Sequence, residues 1–534
     1  MAPRPIQKLL VANRSEIAIR VFRGATELGI QTVAVYAHED RFALHRFKAD
    51  EAYEIGVGME PIAAYLSVDE IIRVAKLSGA DAIHPGYGFL SESPELAAAA
   101  EAAGITFVGP KMQTLIDLGD KVASRKLAEA ANVPTVPATE ALPDGAKIAN
   151  EAGAQIGLPV MVKASWGGGG RGMRRVYDAD KLAEEVAIAK REAAAAFGKD
   201  DVYLEKLIER ARHVEVQVFG DTHGNVTHLF ERDCSVQRRN QKVVEMAPAT
   251  WLDEEIRQGM CQAAVRLAEA AGYQNAGTVE FLYDVNDGAF YFIEVNPRIQ
   301  VEHTVTEEVT SVDIVKAQLM IAGGATLEEA GIPASEEERR PRGVAIQCRV
   351  TTEDPENSFV PDYGKIVAYR SPAGFGVRLD GGTAFAGAVV TPHYDSLLAK
   401  VTVHAPDRDQ GIARMSRALA EFRIRGIKTN LPFLQRVVRH DDFRTGVLTT
   451  RFIDDTPELF HFPPRRDRAS KLLKFLGETV VNGNPEMEGR PAVARAPLQR
   501  LPMVDADTEH RETAKTVFDR DGAAGLVKWI GAQD

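Results

Sequence analysis

EFLYDVNDGAFYFIEVNPRIQVEH, running from Glu280 to His303, crowds three glutamates, the Asn296 amide and an arginine into one short segment. Two runs rich in aromatic and β-branched residues, Thr278–Val285 and Ala289–Val295, flank Asn286-Asp287-Gly288, which reads as a β-hairpin. Pairing the strands about Asp287 sets Glu280 directly opposite Glu294 on one face. Facing carboxylates repel, and a hard divalent cation resolves the repulsion. Oxygen ligands from a few carboxylates together with substrate phosphates are what magnesium prefers. Asn296 lies two residues on and can share that face, so Glu280, Glu294 and Asn296 are the candidate metal ligands.

If the chain stays extended past the hairpin, Arg298, Gln300 and Glu302 alternate onto one side, although Pro297 ends regular pairing. A guanidinium fork beside a carboxylate suits holding a small planar oxyanion and removing its proton. The simpler alternative is a surface ion pair.

At 534 residues the chain is long enough for about three domains. Its hydrophobic content of 45% and charged content of 26% are those of an ordinary soluble globular protein. A net charge of -12 argues against nucleic acid as the main partner, so basic clusters such as Arg238-Arg239 and Lys242 read as sites for small anions. Three scattered cysteines, Cys234, Cys261 and Cys348, fit a reducing compartment better than a disulfide framework or zinc site. No apolar run approaches the roughly 18 residues of a membrane span. The N-terminus offers neither a signal-peptide core nor an Arg/Ser-rich presequence. The expectation is a cytoplasmic protein without membrane or nucleic-acid partners.

The fold class expected is α/β (α+β). Strand Ile6–Ala12, helix Glu16–Leu28 and strand Thr32–Tyr36 form a βαβ unit. Strand Ala80–His84 then leads into the loop His84-Pro85-Gly86-Tyr87-Gly88, so residues 1–119 read as a doubly wound domain. Helix Lys121–Ala130 opens a second region, 120–330, with a subdomain at about 138–208. Its expected elements are strands Val160–Ala164, Gly172–Tyr177 and Val202–Glu205 and helix Asp180–Ala196. A strand-rich module, 343–455, includes strand Val344–Val350. Residues 456–534 read as a linker or docking segment with helices at Ala469–Leu476 and Glu512–Ile530.

Lys163 is followed by Gly167, Gly168, Gly169, Gly170, Arg171 and Gly172. This is no Walker P-loop, since the lysine precedes the glycines. It suits a flexible hairpin that folds over a triphosphate and donates backbone N–H groups, with Lys121 a second phosphate lysine; a mobile surface loop is the alternative. Glu231 to Lys242, ERDCSVQRRNQK, follows a strand expected at Val226–Phe230. Its density of donors suits a polyanionic substrate, or a solvated charged loop.

The ordered set HPGYG, KASWGGGGRGM, ERDCSVQRRNQKVVE, the Glu280/Glu294 hairpin and NPRIQVEH resembles the biotin carboxylase component of biotin-dependent carboxylases, within the ATP-grasp superfamily. The resemblance spans residue 6 to about 455. Within that family the chain looks most like the N-terminal part of the single-chain pyruvate carboxylases: Asn240 stands where acyl-CoA carboxylase subunits carry histidine, and Thr304 where they carry proline. TTRFIDDTPELF (449–460) resembles the pyruvate carboxylase exit from this region.

The resemblance implies an N-terminal doubly wound domain, a central ATP-grasp domain with a glycine-rich lid and a C-terminal strand-rich domain. It implies that Lys121, Lys163, Gly167–Gly170, Gly172, Glu205, Lys206, Leu207, His213 and Gln237 hold ATP, with Glu205–Leu207 reading adenine. Glu280, Glu294 and Asn296 would hold Mg2+ or Mn2+. Glu302 would deprotonate bicarbonate, bound by Lys242, Arg298, Gln300 and the Val301 backbone. Tyr87 and Arg349 would lie against biotin, Arg349 stabilising its enolate. Biotin would be carried elsewhere, since no Met-Lys-Met motif occurs. A biotin carrier domain and a carboxyltransferase domain are the implied partners, in a homo-oligomer. An acyl-CoA carboxylase subunit and a non-catalytic nucleotide-binding scaffold are the alternatives.

Overall fold

The computed structural model describes residues 5–143, 145–165, 173–462, 468–482 and 508–530. The glycine run Gly167–Gly170 and Gly172 lies outside the described residues. Two compact units are present, Met1–His461 and Phe462–Asp534.

Strands β1 (Lys8–Val11), β2 (Gln31–Tyr36), β3 (Glu51–Glu54), β4 (Ala82–His84) and β5 (Thr106–Phe107) form a parallel sheet in the order β3-β2-β1-β4-β5. That is the doubly wound pattern expected from the alternating elements. Its central strands β1, β2 and β4 are largely buried on both faces, as parallel sheets are, while the edge strands β3 and β5 are half-buried. Leu9 and Val11 face one core with Val21 and Phe22 of helix Ser15–Glu27, while Leu10 faces another with Val33 and Val35. The loop after β4 is pinned by Asn13, whose amide donates to the carbonyls of Pro85 (2.7 Å) and Tyr87 (2.8 Å). Gly86 sits there at φ +67° with the space for a Cβ already taken, 2.8 Å from the Asn13 amide nitrogen. Only glycine fits both constraints.

Strands β6 (Val160–Ala164), β7 (Arg174–Val176) and β8 (Val202–Lys206) make a small antiparallel sheet in the order β7-β6-β8. Helices Ala146–Ile156 and Ala179–Phe197 pack against it.

The scaffold of the site is an eight-stranded antiparallel sheet. It comprises β9 (Ala211–Gly220), β10 (Val226–Arg238), β11 (Gln241–Ala247), β12 (Asn275–Asp284), β13 (Phe290–Asn296), β14 (Val344–Thr351) and strands Leu397–Ala405 and Val377–Gly381. The order is β13-β12-β9-β10-β11-β14, then Leu397–Ala405 and Val377–Gly381. One continuous sheet therefore joins the segment before residue 330 to the segment after 343, through the β11–β14 pairing.

Three sequence expectations change here. The strand expected at Val226–Phe230 runs on to Arg238, so Glu231–Gln237 is buried sheet and not a charged loop. Strand β9 was not anticipated, and it is the neighbour of both β10 and β12. The chain from Arg298 to Glu302 is not extended. The Arg298 N–H turns back to the Asn296 carbonyl at 2.8 Å, and Glu302 sits at the start of helix His303–Thr310.

Candidate functional site

In the β12–β13 hairpin Glu280 is the register partner of Glu294, as the pattern predicts. A β-bulge follows immediately: beyond Glu280 the register shifts, and Phe281 faces Phe292. Bulges of this kind re-aim side chains next to functional sites. On its other edge Glu280 is the register partner of Glu215 on β9. Three carboxylates thus lie side by side across three strands.

Lys242, on β11, answers that charge. Its Nζ lies 2.7 Å from Glu280 Oε1 and 2.7 Å from Glu302 Oε1, and it also donates to Glu215. The contacts continue on both sides. His213 Nε2 is 3.0 Å from Glu280 Oε2, and the Gln237 amide is 2.9 Å from His213 Nδ1. Asn296 donates to Glu280 Oε1 at 2.9 Å, and Gln300 reaches the same oxygen at 3.4 Å. Arg349 Nη2 donates to Glu302 Oε2 at 3.0 Å while its Nε donates to Glu245 at 2.5 Å. One chain of contacts, Gln237–His213–Glu280–Lys242–Glu302–Arg349, unites residues expected to serve ATP, metal, bicarbonate and biotin.

Burial pushes the Glu280 carboxyl up, but Lys242 and His213 outweigh it and hold it well below the usual carboxylate range. Glu302 behaves alike: burial opposes its charge, and Lys242, Arg349 and Arg232 keep it well below that range. Glu294 goes the other way. Burial and the neighbouring Glu280 raise it, and its cation is Lys121, 3.7 Å away. A raised carboxylate beside a depressed one, with an amide next to them, is a set of hard oxygen donors short of positive charge. A divalent cation fits it. His213, Glu215 and Glu280 also have donor atoms within 4.8 Å of one another, with the Lys242 ammonium bonded to both glutamates.

Other expected residues stand apart. Lys163 pairs with Glu205 across the β6–β8 sheet. The Lys206 ammonium donates to the carbonyls of Gly157 and Leu158, 2.9 Å each, and the Leu207 N–H donates to Pro159 O at 3.1 Å. Arg298 takes Glu92 as its carboxylate partner at 2.5 Å, not Glu302, and reaches Asn296 Oδ1 at 3.0 Å. The Val301 carbonyl accepts from Lys400 at 3.0 Å. Among the described residues no hydrogen bond, ion pair or ring contact joins Tyr87 to Arg349. Tyr87 instead has the Lys400 ammonium 5.9 Å from its ring centre.

Sequence reasoning missed Glu215, Arg232 and Glu245. Arg232 is fully buried, with Nε 2.5 Å from Glu215 and further donations to Gln217, Thr306 and Thr278 at 2.8, 3.0 and 3.0 Å. A signal was present: Val214-Glu215-Val216-Gln217-Val218 alternates valine with a polar residue, the period of a strand with one apolar and one polar face. The turn between β10 and β11 also explains Asn240. Arg239 (φ 49°) and Asn240 (φ 61°) both adopt left-handed backbone, the two-residue hairpin turn that favours asparagine.

Three family models match consecutive segments: "Biotin carboxylase, N-terminal domain" over residues 5–115, "Carbamoyl-phosphate synthase L chain, ATP binding domain" over 120–330 and "Biotin carboxylase C-terminal domain" over 347–455. The Bacillus subtilis pyruvate carboxylase is 53% identical over 536 aligned positions, covering 100% of this chain and 46% of that protein. The Rattus norvegicus mitochondrial pyruvate carboxylase is 54% identical, covering 90% and 40%. The chain thus spans less than half the length of these curated relatives. Among solved structures, a Rhizobium etli pyruvate carboxylase variant with acetyl-coenzyme A superposes with a TM-score of 0.84 at 61% identity, covering 94% of this chain and 45% of that one. The biotin carboxylase domain of Hydrogenobacter thermophilus 2-oxoglutarate carboxylase, solved with MgADP, ADP and bicarbonate, gives 0.82 at 46% identity, covering 86% and 100%.

Proposed function

The chain belongs to the biotin carboxylase family of ATP-grasp ligases, and on that premise we propose that it carboxylates biotin with ATP and bicarbonate through the Lys242–Glu302–Arg349 cluster. The observation that carries this is the single Lys242 ammonium bound at 2.7 Å to both Glu280 and Glu302. It joins the nucleotide–metal carboxylate to the proposed base.

Bicarbonate is a poor nucleophile at phosphorus. Arg298, Gln300 and the Val301 backbone would hold it beside Glu302, whose carboxylate accepts its proton. The bicarbonate oxygen then bonds to the γ-phosphorus as the bond to ADP breaks, giving carboxyphosphate. Lys242 lies where it can offset charge on the transferring group. Decomposition leaves CO2 and phosphate, and the phosphate takes the ureido proton of biotin. Arg349 then faces the enolate oxygen and stabilises it while N–C bond formation with CO2 completes the transfer. A divalent cation, Mg2+ or alternatively Mn2+, held by Glu280, Glu294 and Asn296, would neutralise phosphate charge. Lys121, Lys163, His213, Gln237, the glycine run and the Glu205–Leu207 segment are proposed for ATP. The Leu207 N–H must then exchange its bond to Pro159 for adenine. Tyr87 and Arg349 are proposed for biotin.

The wider assignment follows the relatives. We place the chain as the biotin carboxylase part of a pyruvate carboxylase, which in its complete form converts pyruvate to oxaloacetate. Biotin carrier and carboxyltransferase domains would act with it in a homo-oligomer. Proposed domains are 1–119, 120–330 with a lid at about 138–208, and 343–455, followed by the segment 456–534. Among the described residues no helix is long and apolar enough to cross a membrane, and the three cysteines are free and buried; cytoplasm is the proposed location. ADP release measured with and without bicarbonate tests the reading. Dependence on bicarbonate, further accelerated by free biotin, supports it, and equal release without bicarbonate overturns it.

A further inference from the structure

Lys400 has no role in the scheme above, yet it touches the Val301 carbonyl next to the proposed base. It is fully buried in strand Leu397–Ala405 and is the register partner of Arg349. Its Nζ donates to the Val301 carbonyl at 3.0 Å, lies 3.0 Å from Glu16 Oε2 and sits 5.9 Å from the Tyr87 ring centre. Glu16 opens helix Ser15–Glu27 of the doubly wound region, is itself buried, and among the described residues its carboxylate has Lys400 as its ion-pair partner. Burial pushes the Glu16 carboxyl up against the pull of Lys400. Burying such a pair costs more desolvation than an apolar pair of similar volume, so packing alone leaves it unexplained.

The Val301 carbonyl and the Glu302 N–H share one planar peptide. A hydrogen bond that fixes the first orients the residue carrying the second. We propose that Lys400 is a positioning residue for bicarbonate activation: it holds the Val301–Glu302 peptide while Arg349 holds the Glu302 side chain, and Glu16 keeps the Lys400 ammonium in place. The adjacent strands of one sheet would thus fix backbone and side chain of the base together. Glu16 ties this peptide to the N-terminal region that carries Tyr87. The inference rests on the bicarbonate role proposed for Arg298, Gln300 and Val301.

The test compares Lys400→Met, Lys400→Met/Glu16→Gln and Arg298→Ala for melting temperature and for KM of bicarbonate and of ATP in bicarbonate-dependent ADP release. Lys400→Met strands the Glu16 carboxylate and melts lower. The double variant removes the stranded charge and recovers stability but not the Val301 bond. Its bicarbonate KM stays raised on the order of ten- to a hundredfold, the scale of small misplacements in a reacting pair, with ATP KM within about twofold. Recovery of bicarbonate KM together with stability overturns the proposal, because Lys400 then only balances charge. A parallel rise of both KM values also overturns it, as a general structural defect. If Arg298→Ala raises bicarbonate KM while the double variant does not, the positioning role alone fails. If Arg298→Ala changes nothing, the bicarbonate reading fails and the proposal with it.

Discussion

Glu280 and Glu294 face each other across the β12–β13 pair, yet they are electrostatically unlike. Glu280 is buried, with the Lys242 ammonium at 2.7 Å and His213 at 3.0 Å. Glu294 keeps 35% of its side chain exposed, and among the described residues its ion-pair partner is Lys121, at 3.7 Å. The pair is therefore held half-neutralised, with the unsatisfied half facing outward, where a cation arriving with a nucleotide would meet it.

Glu294→Gln removes the less compensated of two facing like charges. The apo protein should keep its stability or gain a few tenths of a kcal/mol, while the stabilisation conferred by Mg-ATP shrinks. Thermal melts with and without Mg-ATP check this. A variant that melts lower when apo and keeps the full Mg-ATP shift would make Glu294 structural.

Glu302→Gln preserves shape and removes the proposed base. Turnover should fall on the order of a hundred- to ten-thousandfold, with nucleotide affinity nearly unchanged because Lys242 retains Glu280 and Glu215 as partners. Steady-state rates beside a nucleotide titration decide it. Retention of more than about half the rate would assign the proton to another group.

Arg349→Ser should spare bicarbonate-dependent ATP cleavage and sharply reduce carboxylation of free biotin. The contact between Arg349 and Glu302 adds a pH signature. Arg349 is one of the charges holding the Glu302 carboxyl below its usual range, so its loss lets that group protonate at higher pH. The acid limb of kcat/KM for ATP cleavage should move upward. An unmoved acid limb with both half-reactions lost would make Arg349 an interface residue only.

His45 and His84 are fully buried. Burial pushes each from 6.5 down to about 4. The unfolded chain takes up protons near pH 6.5 that the native protein refuses. The contribution of these two histidines to stability is therefore complete above that value and is lost as pH drops toward 4, by about 1.4 kcal/mol per pH unit for each. Denaturant titrations at pH 7 and pH 5 measure it. Equal stability at the two values would mean that the native state admits those protons.

The hairpin and the parallel sheet were legible because their signals are local: period, turn residues and spacing. Even the Glu280–Glu294 pairing was reachable, although a bulge that no local pattern announces restores the register. Arg298 was misplaced because extended geometry was assumed past Pro297, whereas a turn hands it to Glu92. Glu215, Arg232 and Lys400 escaped notice for a different reason. Their roles come from strand order, which puts β9 between β10 and β12 and sets Lys400 beside Arg349, and order across a sheet is set by tertiary packing.

In the proposed reaction a bicarbonate oxygen, freed of its proton by Glu302, attacks the γ-phosphorus of ATP. Its most direct test supplies oxygen-18 bicarbonate, before exchange with water, and analyses the released phosphate by mass spectrometry. Formation and breakdown of carboxyphosphate predict one labelled oxygen in each phosphate, in step with ADP release and absent from the little phosphate that Glu302→Gln produces. Unlabelled phosphate from the wild-type chain, with its new oxygen drawn from water, would contradict the account and leave a bicarbonate-stimulated ATPase in its place.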